Sequence, residues 1–131
     1  TKSLLDRECC LGPCRLILDS HENMKEHIPN PHRGEVSVIV FNLGYLPNGE
    51  KEITTMSETT LAAVKQSLEL LKPNGLVAIT MYGGHPTGEA EKKELLKFSK
   101  ELPEKEYHTA YISLINQKKQ PPELLFITKK S

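Results

Sequence analysis

The sequence predicts an α/β fold: a mostly parallel sheet with helices on its faces, closed by a C-terminal antiparallel hairpin. Three observations predict it. Apolar runs of strand length recur at 16–18, 36–41, 76–82, 107–115 and 124–128. Between the first four runs lie segments with helical signals, so strand and helix alternate as in crossover units. Between the last two lies only Asn116 to Pro122, which is too short for a crossover helix and makes that pair antiparallel.

Each element has a local reason. Leu16-Ile17-Leu18 follows the Gly12-Pro13 break and reads as a short strand. Residues 20–28 read as a short helix with Asp19 or Ser20 as N-cap and Pro29 as stop. Val36 to Phe41 is β-branched and almost wholly apolar, the pattern of a strand buried on both faces, and Asn42 to Pro47 ends it. Thr55 with Glu58 forms a capping-box pattern, and Leu61, Val64, Leu68 and Leu71 follow at helical spacing until Pro73-Asn74-Gly75. Leu76 to Tyr82 reads as a second buried strand. Thr87 caps a helix running to about Glu101, with Leu95, Phe98 and Leu102 on one face.

Bulk properties narrow the function classes. The 131 residues suit one domain, 1–131, and not two. The formal net charge of zero argues against a strongly basic nucleic-acid module, though one local basic face remains compatible with it. No apolar run approaches the roughly 20 residues needed to span a bilayer, and Thr1 to Cys10 does not read as a signal peptide. These features point to a cytoplasmic protein with no membrane contact. Cys9, Cys10 and Cys14 form neither a disulfide framework nor a CxxC metal pattern, so they read as reduced thiols and no metal is expected.

In a sheet of this kind ligands sit beyond the C-terminal ends of the parallel strands. Three polar loops follow apolar strands and should converge on one rim: Asp19-Ser20-His21, Asn42 to Pro47, and Gly83 to Pro86. In Asn42-Leu43-Gly44-Tyr45-Leu46-Pro47, an Asn oxygen and a neighbouring carbonyl can accept N–H bonds from an amine and fix its lone-pair direction. Tyr45 can stack on a base, and Gly44 allows close backbone approach. The same residues also describe a plain strand-to-loop turn. His85, between glycines and a proline, is the best candidate for handling a proton. It also fits a plain surface loop. His27, His32 and His108 read as solvated or packing residues. Lys118, Lys119, Lys129 and Lys130 make the C-terminal end locally basic, either a solvated surface or a meeting place for RNA phosphate.

NLGYLP, the ETT with LLKP stretch, GGHP and INQKKQPP occur in this order along the chain. Together they resemble the rRNA methylase family, whose characterised members are tRNA 5-(aminomethyl)-2-thiouridine methyltransferases, and the likeness runs from about Asp19 to Ile127. The resemblance implies a Rossmann-like class I methyltransferase sheet, S-adenosylmethionine as cofactor, and an aminomethyl group on a tRNA wobble uridine, in the anticodon region, as methyl acceptor. It places Asp19, Ser20, His21 and Asn42 against the cofactor. It makes Asn42 and Tyr45 catalytic, and Leu43, Gly44, Tyr45, Pro47, Asn116 and Gln117 acceptor-binding; with an amine acceptor, His85 is the catalytic candidate for removing a proton from the substrate ammonium. Asp19 and Ser20 serve equally as helix N-caps, and the two roles are compatible because a helix N-terminus offers free N–H groups.

One departure matters. A complete domain of this kind begins with a strand, a Gly-rich cofactor loop, a helix and an acidic second strand, and these have no counterpart here. The expected fold is therefore N-terminally incomplete. Val36 to Phe41 should then be an exposed apolar edge that either drives homo-oligomerisation or is covered by residues 15–18. Two other functions fit the same residues: a catalytically silent binding module, and a methyltransferase for small-molecule amines.

Overall fold

The structure, a computed structural model, describes residues 17–19, 21–43, 57–82 and 86–131. Four strands form one sheet: β1 (Val36–Leu43), β2 (Leu71–Met81), β3 (Tyr107–Ile112) and β4 (Glu123–Lys129), in spatial order β1-β2-β4-β3. β1 and β2 are parallel, while β4 runs antiparallel to both β2 and β3. Two α-helices, α1 (Ser57–Leu70) and α2 (Pro86–Lys100), connect the strands, and a 3-10 helix covers His21–His27. From β1 onward the predicted alternation is present, and so is the terminal hairpin.

The core explains the pattern. Phe41 and Leu43 of β1, Val77, Ile79 and Met81 of β2, and Leu125 and Ile127 of β4 are buried on the helix-bearing face. Val64 and Leu68 of α1 and Leu95 of α2 pack against them, as their spacing predicts. Thr60 of α1 donates a hydrogen bond to the buried carboxylate of Glu91 on α2, tying the two helices together near their N-terminal halves.

The structure corrects several boundaries. Ile17 and Leu18 are not strand residues, so the expected first strand is absent over its described part. Residues 21–27 wind as a 3-10 helix with no buried residue, because HENMKEH offers no continuous apolar stripe to hold an α-helix down. Strand β2 starts at Leu71, and Pro73-Asn74-Gly75 lies inside it as an irregularity rather than before it. Val36 pairs with Leu71 and Val38 with Leu76, so the intervening residues of β2 loop out, helped by Asn74 at φ 69°. A side chain at Gly75 would meet Leu71 Cγ at 2.6 Å, which reserves the position for glycine. Strand β3 ends at Ile112 rather than Ile115. Of the predicted capping box, Thr55 lies outside the described residues and Glu58 falls in the first turn of α1.

The expectation that β1 is buried on both faces is also corrected. Val38 and Val40 are 55% and 68% exposed. Val40 shares a face with Ala78 and Phe126 of the neighbouring strands, and none of these residues belongs to the buried cluster that packs against the helices, although Val40 lines the cleft beside β1. β1 is a sheet edge among the described residues, as anticipated, and no described helix is long and apolar enough to cross a membrane.

Candidate functional site

The register fixes which residues share the rim. Asn42 pairs with Thr80, Thr80 with Leu124, and Leu124 with Ile112. These four positions form one row across the sheet, close to where the parallel strands end at Leu43 and Met81. Strand spacing puts the ends of the row about 14 Å apart. The connection 113–122 leaves from Ile112 and returns at Glu123, so Asn116 and Gln117 stand on the same rim as Asn42.

The first loop reaches this rim through a cleft of about 410 Å³ beside β1. Asp19, His21, His27, Phe41 and Asn42 all line it, with Met24, Ile39 and Leu43 as apolar wall. Asp19 accepts hydrogen bonds at its carboxylate: Asn23 Nδ2 lies 3.0 Å from Oδ1 and His27 Nε2 2.8 Å from Oδ2. The cleft wall is pinned to α1 by Gln66, which accepts from the Lys25 N–H at 3.2 Å and donates to the Glu22 carbonyl. Lys25 Nζ reaches Glu69 Oε2 at 2.6 Å on the outside. The 3-10 helix thus forms a fixed lip and not a free loop.

His21 stands between cleft and core. Its ring meets Phe41 edge-on, and burial holds its pKa below the ordinary value against the raising pull of Glu22. A neutral imidazole there offers one donor and one acceptor to whatever enters. Asn42 is exposed, with its side chain free to face a ligand at the mouth. Ile17 also lines the cleft but is not paired as a strand residue, and Leu18 is fully exposed, so residues 17–18 do not extend the β1 edge.

Of the anticipated site residues, Asp19, His21, Asn42 and Leu43 come together around one cleft. Asn116 and Gln117 occupy the same rim farther along. Ser20, Gly44, Tyr45, Pro47 and His85 lie outside the described residues. The C-terminal lysines do not form one patch. Lys118 and Lys119 sit in the rim connection, whereas Lys129 and Lys130 lie at the far end of β4, roughly 20 Å away at strand rise. Lys129 Nζ bonds the Leu68 and Leu71 carbonyls at 3.2 and 3.1 Å, so its charge serves the end of α1. Sequence reasoning missed Phe41 as a ring partner and Met24 and Ile39 as cleft wall. Each reads in the sequence as an ordinary core residue. Among the described residues no group of three His, Cys, Asp or Glu is placed to hold a metal ion.

A family described as "Putative rRNA methylase" matches residues 1–128. The chain belongs to this rRNA methylase family. A curated relative, the chloroplastic tRNA (mnm(5)s(2)U34)-methyltransferase of Arabidopsis thaliana, is 36% identical over 99% of this chain and 47% of its own length. The chain thus spans about half the length of that relative. Among solved structures, an rRNA methylase of Clostridium thermocellum superposes with a TM-score of 0.88 at 36% identity, over 98% of this chain and 67% of that one. A methyltransferase of Streptococcus mutans solved in complex with SAH gives 0.85 at 34% identity, over 98% and 68%. The fold is the Rossmann-like sheet of these rRNA methylase structures.

Proposed function

We propose that this chain belongs to an S-adenosylmethionine-dependent methyltransferase that methylates the 5-aminomethyl group of a 2-thiouridine at the tRNA wobble position, in the anticodon region. The observation that carries the reading is that Asp19, His21 and Asn42 border one cleft at the C-terminal end of a parallel strand pair. Support for the substrate comes from the Arabidopsis relative's name and from INQKKQPP standing on the same rim.

The cleft suits the nucleoside part of the cofactor. Its volume falls in the range of small-molecule sites, its wall is apolar, and Asp19 and His21 supply polar atoms at the edge. Asp19, Ser20 and His21 would hold that part, and Asn42 would mark its methyl-bearing end. The bound cofactor supplies an electrophilic methyl on a sulfonium sulfur.

The remaining work falls to this chain. The acceptor arrives as an ammonium and must lose one proton before its nitrogen has a lone pair. His85 is the group we assign to take it. Asn42 accepts an N–H bond from the free amine and aims the lone pair, while Leu43, Gly44, Tyr45 and Pro47 shape the pocket and Tyr45 stacks on the base. Asn116 and Gln117 meet the nucleoside from the other end of the rim. Our reading places the protein in the cytoplasm, where it would meet tRNA.

The test is methyl transfer from labelled S-adenosylmethionine to tRNA carrying the unmethylated aminomethyl group, against free small amines. Label entering only that tRNA is expected. Transfer to small amines alone would replace the substrate, and no transfer with no cofactor heat in calorimetry would leave a silent module.

A further inference from the structure

The connection 113–122 springs from the rim, and a half-buried cluster outside the cleft holds its base. Glu123, the first residue of β4, accepts a charged hydrogen bond from Lys92 of α2 on Oε1 and the hydroxyl of Tyr111 of β3 on Oε2. The Lys92 ammonium also lies 6.0 Å from the Tyr111 ring centroid. One carboxylate therefore joins three elements. The Lys92 and Glu123 side chains are only 19% and 13% exposed, so the pair is largely out of water. Such a pair repays its desolvation poorly as a stabiliser and is best attested where it fixes a particular arrangement.

What it fixes has its own chemistry. Pro121-Pro122 runs stiffly into Glu123, and Gln120 before it adopts φ 49°. A turn closes at the tip, with the Gln117 N–H bonded to the Leu114 carbonyl at 3.2 Å. The turn raises Ile115 until it is 95% exposed, beside Leu114 at 46% and the amides of Asn116 and Gln117. A lone β-branched side chain held in water next to two amides offers an apolar contact and paired donors and acceptors. That combination suits an unpaired nucleobase, which has an apolar face and a hydrogen-bonding edge.

We propose that the 114–117 turn docks an unpaired base of the RNA through Ile115, and that Glu123, held by Lys92 and Tyr111, is the positioning residue that aims this turn at the rim. The inference rests on the tRNA methyltransferase reading and adds to it a contact point and its support.

The experiment measures binding of a fluorescently labelled anticodon stem-loop RNA by the purified protein, with SAH affinity measured alongside. Ile115→Ala should weaken RNA binding about fivefold, the loss of one apolar contact, and Ile115→Leu should restore it. Glu123→Ala should weaken RNA binding by at least as much, and Glu123→Gln by less, because the amide oxygen still accepts from Tyr111. SAH affinity should hold in every variant, a separation that general destabilisation would not give. Unchanged RNA affinity in Ile115→Ala overturns the proposal, as does a parallel loss of RNA and SAH binding in Glu123→Ala. Ile115-dependent RNA binding without methyl transfer would instead sink the methyltransferase reading and leave the docking turn standing.

Discussion

The imidazole of His21 meets the ring of Phe41 edge-on, with centroids 5.9 Å apart and planes at 78°. This contact links the lip of the cleft to the first strand of the core, since Phe41 is 5% exposed and packs with Ile79 and Val64. It also takes His21 partly out of water, and burial is the larger influence on its titration.

A pH dependence follows. The folded protein holds His21 below its ordinary pKa of 6.5, so the unfolded chain takes up the proton first as pH falls. The stability contribution is fully present above about pH 6.5 and declines as pH drops from there toward the folded value. Thermal unfolding followed from about pH 8 to pH 5 should show a loss of Tm on the acid side that His21→Gln flattens. An identical acid slope in the variant would show that His21 is not the titrating group.

Asn42 is expected to act on turnover more than on stability. It is exposed at the mouth of the cleft, so Asn42→Ala should leave Tm nearly unchanged. Loss of the oxygen that aims the amine should lower kcat by about 100-fold. Asn42→Asp keeps an acceptor but adds a charge that favours the ammonium form of the substrate. Its activity should therefore rise with pH over a higher range than that of Asn42→Ala. Equal pH profiles for the two variants would argue against Asn42 contacting the amine.

Lys129 is expected to matter for the fold and not for RNA. Its ammonium bonds two carbonyls at the end of α1. Lys129→Met keeps most of the apolar stem and removes those bonds, at a cost of about 1 kcal/mol, read as a fall in Tm. The salt dependence of RNA binding should be unchanged. A flatter salt slope in this variant would place Lys129 on the RNA instead.

Much of this arrangement was legible in the sequence, and the misses share causes. The alternation of elements and the short Asn116–Pro122 connection were enough for the topology, because each rests on local spacing. Asn42 stands at the rim as the rule for parallel strands expects, and Asp19 and His21 join it at the cleft although Ile17 and Leu18 before them are not strand residues. Strand β2 was misjudged because Pro73-Asn74-Gly75 reads as a terminator, while pairing with Val36 carries the strand past it. The four lysines near the C-terminus looked like one patch because sequence proximity hides the length of β4 between them. The Lys92–Glu123–Tyr111 cluster was invisible for the opposite reason: its members lie on three elements and each looks like a surface residue in its own context.

The two faces of the sheet should respond oppositely to substitution. Ile79 is fully buried among the helix-side residues, so Ile79→Ala should cost about 2–5 kcal/mol through lost burial and the cavity left behind. Val40, one strand over on the opposite face, is 68% exposed, and Val40→Thr keeps the β-branched shape. That change should move stability by no more than about 0.5 kcal/mol. If copies pair through this edge, the change should also lower self-association, because among the described residues Val38 and Val40 are exposed on the edge strand. Size-exclusion chromatography across a concentration series reads the second effect and chemical denaturation the first. A Val40→Thr protein that loses as much stability as Ile79→Ala would mean that this face is packed in solution, and the open-face description would fall with it.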